Sequence, residues 1–296
     1  MPHVAILVHE ADPFEHAGYF LHTMAGMWAD EGIRVSVVRG ASDARPADLA
    51  VMHVDLTVVP PEYQSLAQRF PMVVNGRTAD ISKRRVSANL VREGDSYRGP
   101  VIVKTDLNCG GQREARLAEL KTSARRPARM LRRLIPWARR KRLSSAEYRI
   151  FDSLHQVPAA VWSNPAFVVE KFLAERRDGL YCLRTWIFFG SKETNGICYS
   201  RHPIAKANNI VRRDPLPEVP AELRRMRREL GFDFGKFDYA VVDGRVVLYD
   251  ANRTPTLPGF PPEQLLPRVR LLADGIHGFL RETPCCRAAD RFATSR

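Results

Sequence analysis

The sequence predicts an α/β unit followed by an α+β region. Three observations carry this reading. Val4–Val8 is a continuous apolar run, followed by helical spacing and a second apolar run. That is the order of a buried parallel sheet crossed by helices. From Gly99 onward, strand-like runs follow one another with few helices between them. Near the end, "FDYAVVDGRVVLYD" sets Asp243-Gly244 between two apolar runs, a strong signal for a hairpin with a two-residue turn.

In chain order, Val4–Val8 is the first strand, Gly18–Asp30 a helix, and Ile33–Val38 the second strand. Asp48–His53, Leu56–Val59 and Pro71–Val74 are further apolar runs, completing a unit of residues 1–75. It lacks G-x-G-x-x-G, so the dinucleotide fingerprint is absent. Ile81–Val91 has helical spacing, Gly99–Thr105 reads as a strand, and "DLNCGGQ" as a loop. Phe167–Phe172 and Tyr181–Phe189 are strands, and Gly196–Ser200 pairs with the second after the turn "GSKETNG". Glu218–Leu230 is a helix with a basic face, ending at Gly231 as a C-cap. Tyr239–Val242 and Arg245–Tyr249 form the hairpin, Gln264–Leu280 is one closing helix, and 281–296 is a loose tail. No internal repeat is visible.

The chain has 296 residues and is 45% hydrophobic, enough for a substantial core. Its formal charge is +13, and residues 112–149 alone carry thirteen Lys or Arg against three Glu. The basic character therefore belongs to one segment, and it points to an anionic partner without naming one. Five cysteines without C-x-x-C spacing argue against a disulfide framework or a zinc site. The start has no basic n-region and no apolar run is long enough to span a bilayer. A soluble, cytoplasmic protein is expected.

The polar end of the hairpin carries the chemistry. A two-residue turn brings Asp238 and Asp250 side by side, and Asn252 shares the parity of Asp250. Three oxygen ligands suit a hard cation such as magnesium. The competing reading is ordinary, since Asp and Asn cap turns and strand ends. Arg253 is a candidate to face a phosphate or an oxyanion, and Pro255 and Pro258 stiffen the exit. Lys104 ends an apolar strand ahead of Gly110 and Gly111, which suits phosphate contacts by amine and backbone N–H. At "VVEKFL", backbone around Glu170 could meet an adenine, with Glu175 or Asp178 near a ribose. Arg184 inside "CLRTWIFF" is either a solvated residue or an inward charge for phosphate or carboxylate.

The order of these features resembles the ATP-grasp superfamily, in the flavour of RimK or glutathione synthetase, over roughly residues 1–280. The resemblance implies an ATP-grasp fold behind a Rossmann-like pre-ATP-grasp domain. It gives domains at 1–75 and 76–280, with a basic insert at about 112–149. Lys83 of "SKRRVSANL" and Lys104 of "VIVKTDLNCGG" match the family's two lysines, with Gly110 and Gly111 in the phosphate loop. Glu170, Lys171, Phe172 and Leu173 match the adenine hinge, with Asp178 near the ribose. Arg184 matches the arginine after the hinge and acts with Lys104 and Arg253 in catalysis. Asp238, Asp250 and Asn252 match the metal ligands, and "DANRTPTLPG" is similar to the closing "E-x-N-x-x-P-G" with Asp for Glu. The implied cofactors are ATP and Mg2+, or Mn2+ in its place. The implied activity joins a carboxylate to an amine through an acyl phosphate, with substrates free or linked to a peptide or carrier. An ATP-grasp-like kinase and a degenerate binding module are the alternatives, and a homo-oligomer is compatible with all three.

The basic insert has three readings: a solvated helix face, a docking face for an acidic macromolecule, or a contact with an anionic membrane. Sequence-specific nucleic-acid binding lacks a supporting motif. His9, Glu10, Asp12, His16 and His22 follow the first strand. They could cluster on a metal, or His9, Glu10 or His16 could contact a substrate, with His53 and Asp55 lining the same crevice; for each, a satisfied structural role is the favoured reading. A catalytic role for Cys109 is disfavoured.

Overall fold

In a computed structural model, residues 1–42, 45–121, 134–206, 208–257 and 262–283 are described. Residues 122–133 of the basic insert, Pro258 and Gly259 of the closing motif, and the tail from 284 lie outside these ranges.

The first sheet is parallel, built from β1 (His3–Val8), β2 (Arg34–Arg39), β3 (Leu49–Met52) and β4 (Val73–Val74) in the order β2-β1-β3-β4. Val4, Ile6 and Val8 face the Phe20–Asp30 helix and the closing helices, while Ala5 and Leu7 face the Pro61–Ala67 helix. Both faces are covered, which explains why β1 is apolar at every position. Leu56–Val59 is not a strand: only Val58 bridges, to Asp80.

A second, three-stranded antiparallel sheet holds β5 (Val101–Thr105) between β6 (Arg149–Phe151) and β7 (Phe167–Lys171). Val101 and Val103 pack into a core with Val157, Val161 and Phe167, so Ile102 and Lys104 point to the opposite face. The expected helix over Ile81–Val91 shrinks to one turn, Lys83–Val86. Beyond it Leu90 bridges Glu170, and Asn89 accepts the Lys171 N–H at 2.8 Å. Pairing beside β7 overrides the helical period there.

The third sheet is antiparallel. It runs β11 (Ile210–Pro215), β10 (Lys192–Ser200), β9 (Leu180–Phe189), β12 (Phe234–Val242) and β13 (Arg245–Asn252), with β8 (Glu175–Arg177) against β9. One face buries Trp186, Phe188, Phe237, Tyr239 and Leu248 under the Ala221–Glu229 helix. The expected single closing helix is two, Pro262–Ala273 and Ile276–Glu282. At the break, a Cβ on Gly275 would lie 2.3 Å from the Phe189 carbonyl oxygen.

Asn75 ties the first sheet to the third. Its φ is +61°, its Oδ1 accepts from the Asp233 and Phe234 N–H groups, and its Nδ2 donates to the Phe234 carbonyl at 2.8 Å. The side chain is buried, so its partners have no water to turn to. Asn75→Leu is expected to cost on the order of 3 kcal/mol, read as a lower urea midpoint; an unchanged midpoint would rule out this tie.

Candidate functional site

Between the second and third sheets lies a cavity of about 320 Å³, within the roughly 300–1,000 Å³ typical of small-molecule sites. Ile102, Lys104 and Glu170 form one wall, and Leu183, Asp238, Val247 and Asp250 the other. Lys171–Ala174 connect the two walls, and Cys109, Gly110 and Tyr148 close one end.

Three lysine–carboxylate pairs meet here. Lys104 Nζ lies 2.6 Å from Glu170 Oε2, Lys236 Nζ 2.8 Å from Asp238 Oδ2, and Lys83 Nζ 3.4 Å from Asp250 Oδ1. Asp238 and Asp250 are direct partners across β12 and β13, and Thr185 donates to the free oxygen of Asp238 at 2.9 Å. Burial alone would lower the Lys83 and Lys236 pKa values. The neighbouring Asp250 and Asp238 carboxylates outweigh it, so both ammonium groups titrate above their usual value.

Lys236 was missed in the sequence. It stands two residues before Asp238 on the same strand face, a parity that could have revealed it. Glu170 Oε1 is buried and has no hydrogen-bond partner among the described residues, an acceptor poised toward the cavity.

Gly110 lines the cavity and Gly111 lies behind it on Leu107. Cys109, Gly110 and Gly111 all have positive φ, at 47°, 65° and 69°. A Cβ on Gly110 would fall 2.5 Å from the Leu143 carbonyl oxygen, so glycine is required there by both conformation and space. The loop is pinned to the first unit: Thr57 Oγ1 accepts the Asn108 N–H at 2.9 Å and donates to Glu114 at 2.6 Å.

Other predicted residues stand elsewhere. Arg184 shares the aromatic face of β9 with Trp186 and Phe188, away from Asp238, and grips Glu175 with two 2.8 Å hydrogen bonds. Burial works against the Glu175 charge, but Arg184 and the Val241 N–H hold its carboxyl below the usual range. Arg253 is fully buried and donates to the backbone carbonyls of Thr78 and Leu56, each at 2.5 Å, and of Val54 at 3.4 Å. It clamps the C-terminal strand to the first unit. Neither arginine lines the cavity, and the donors of each are engaged elsewhere.

Asp178 is likewise outside the cavity lining. With Gly179 it forms the exposed two-residue turn between β8 and β9, at φ +51° and +77°. Asn252 shares the cleft face opposite Lys236, but its Oδ1 accepts the Thr254 N–H at 2.9 Å. Lys171 lays its ammonium over the Tyr97 ring at 5.2 Å, and the Phe172 N–H donates to Pro100 at 2.8 Å. The Leu173 carbonyl accepts the Tyr249 hydroxyl. Among the described residues no group of three His, Cys, Asp or Glu side chains is placed to hold a metal ion. No helix of the described residues is long and apolar enough to cross a membrane.

Of the early polar residues, Asp12 and Asp55 both accept the Tyr19 hydroxyl, at 3.1 and 2.7 Å, and Arg113 pairs with Asp55. His53 is buried against Phe14 and Tyr19, and burial pushes its pKa down to about 3. Burial first and Asp55 second push the Asp12 carboxyl up to about 6 from 3.8.

The chain matches no family profile and no curated protein. Solved structures do resemble it. The ATP-grasp ligase PsnB, complexed with a phosphomimetic variant of its minimal precursor, Mg and ADP, aligns at 11% identity and TM-score 0.52, covering 92% of this chain and 97% of its own. D-cycloserine synthetase DcsG aligns at 12% and 0.49, covering 94% and 99%. D-alanine–D-alanine ligase from Bacillus anthracis aligns at 13% and 0.48, covering 96% and 97%. At 11% identity the likeness to PsnB is one of fold alone. The fold is of the ATP-grasp type, with mixed parallel and antiparallel sheets.

Two outcomes follow from the titrating groups. A carboxyl whose native pKa is raised costs stability as pH climbs through the interval between its unfolded and folded values. Asp12→Asn should therefore raise the melting temperature at about pH 8 and leave it nearly unchanged at about pH 4; equal shifts at both would contradict the assignment. Although Cys109 is exposed as a residue, desolvation of its sulfur and then Asp250 push the thiol up to about 11. Its alkylation by iodoacetamide, followed by peptide mass spectrometry, should be slow at neutral pH and still rise about tenfold per pH unit beyond pH 9; a plateau at neutral pH would refute this.

Proposed function

We propose that the chain is an ATP-dependent ligase that activates a carboxylate as an acyl phosphate for attack by an amine, releasing ADP and phosphate. The observation that supports this most is the convergence of Lys83, Lys104, Glu170, Asp238 and Asp250 on one cavity, with Lys236 paired to Asp238 behind its wall. The proposal includes the division into a first domain of 1–75 and a nucleotide-binding domain of 76–280.

Asp238, Asp250 and Asn252 offer an all-oxygen donor set, which fits Mg2+ or Mn2+ with phosphate and water in the remaining positions. The ion, when bound, neutralises phosphate charge. The chain's own residues do the rest by positioning and charge. Lys83 and Lys236 already lie on the two aspartates; with an ion held by the carboxylates, both ammonium groups would be left to neutralise phosphate charge. Lys104, nearly buried beside Glu170, is the third cation for the phosphates. Glu170 Oε1 is free to accept from an exocyclic amine of the base. Lys236 takes the oxyanion-facing role first assigned to Arg184 and Arg253, whose donors are spent elsewhere.

The test is ATP turnover over a panel of carboxylates and amines. Ligation gives ADP and free phosphate only when both partners are present. A stable phosphorylated product would instead mean a kinase, and no nucleotide binding at all would leave a binding module. Lys104→Met is expected to lower kcat/KM by about 100-fold or more, and a loss of only severalfold would remove Lys104 from the site.

A further inference from the structure

Where the chain returns from the basic insert to β6, residues Leu134–Arg149 form a second concavity outside the cleft. It has a volume of about 380 Å³ and is lined by Leu134, Ile135, Trp137, Arg140, Glu147 and Arg149, among others. Leu134 is 82% exposed and Ile135 43%. Scattered exposed aliphatic residues are ordinary, but two adjacent ones at the mouth of a groove mark an interaction site.

The charge within residues 134–149 is almost all of one sign. Arg139, Lys141 and Arg149 are exposed, and Glu147, the one acid between 134 and 149, is held by Arg140 at 2.9 Å. The walls are fixed. Ser144 and Glu147 form a reciprocal capping box, and Arg140 Nε donates to the Ile135 carbonyl at 3.0 Å. The turn Ser145–Glu147 also faces two ways: Ala146 and Glu147 line the groove, while Ser145 and Tyr148 line the cleft cavity.

We propose that this groove docks an acidic polypeptide segment. An apolar side chain of that segment seats among Leu134, Ile135 and Trp137, and its carboxylates meet the surrounding Arg and Lys. Two other anionic partners fit the geometry less well. A bilayer takes apolar side chains from a flat or convex face, and this site is concave. A nucleic-acid base needs an open aromatic face. The Trp137 ring already stacks near Phe151 and Phe167, with the Arg149 guanidinium 5.0 Å from its centre. The shared turn would let a docked segment present its neighbouring residues toward the cleft.

The test needs no nucleotide, so its outcome is independent of the ligase reading. A fluorescein-labelled peptide of about twelve residues, alternating Glu with Leu, is titrated with the full chain and followed by anisotropy. Saturable binding is expected. It should weaken about tenfold or more in L134D/I135D, in R139E/K141E, and for the peptide with Gln in place of Glu. All four positions are exposed, and a thermal melt confirms that each variant folds. The proposal is overturned if Glu and Gln peptides bind alike, or if both variants bind as tightly as the parent. It is also overturned if the peptide does not bind while the chain cosediments with phosphatidylserine–phosphatidylcholine vesicles in a manner lost in L134D/I135D.

Discussion

One extra residue in β13 decides which side chains face the cleft. The Asp243-Gly244 turn pairs Val242 with Arg245, and the register runs evenly to Tyr239 and Leu248. Continued without interruption, it would set Tyr249 against Asp238 and turn Asp250 toward the buried side with Phe237. A bulge at Tyr249 shifts the count, and Asp238 pairs with Asp250 instead. The two carboxylates then share the cleft face, with Lys236 and Asn252 paired just beyond. Tyr249 is itself held, since its hydroxyl donates to Leu173 in the segment joining the two walls. The bulge thus fixes both the carboxylate pair and its distance from that segment.

The site also separates two kinds of cation. Arg184 and Arg253 commit their planar forks to fixed partners, Glu175 and three backbone carbonyls. The three lysines each meet a carboxylate with one flexible ammonium. A fork in bidentate contact is costly to release, whereas a point charge on a flexible stem changes partner readily. Arginine holds the frame here and lysine lines the cavity, which is the division a site needs if it exchanges one set of charges for another.

Much of this was legible in the sequence. The apolar runs gave β1, β5, β7 and β9 to within a residue or two, because continuous or alternating burial is what forms those strands. Asp243-Gly244 gave its hairpin, and the same signal at Asp178-Gly179 was there to be read. It sits between Arg177 and Leu180 and explains why Asp178 is a turn residue. Arg184 shares parity with Trp186 and Phe188, which already set it on the aromatic face. The bulge left no such trace, because a two-residue turn predicts even pairing and only tertiary contacts insert the extra residue. The helical spacing of Ile81–Val91 was genuine but lost to pairing beside β7, and the break at Gly275 depends on a distant carbonyl.

On the proposed ligase reading, Asp238 and Asp250, brought together by the bulge, hold a divalent cation in company with a nucleotide. Ultrafiltration measures this directly, because Mn2+ held by the chain is retained while free Mn2+ and its ATP complex pass the membrane. The chain is expected to retain Mn2+ strongly in the presence of ATP and little without it, and Asp238→Asn/Asp250→Asn to abolish the nucleotide-dependent part. Undiminished retention by that variant would contradict this.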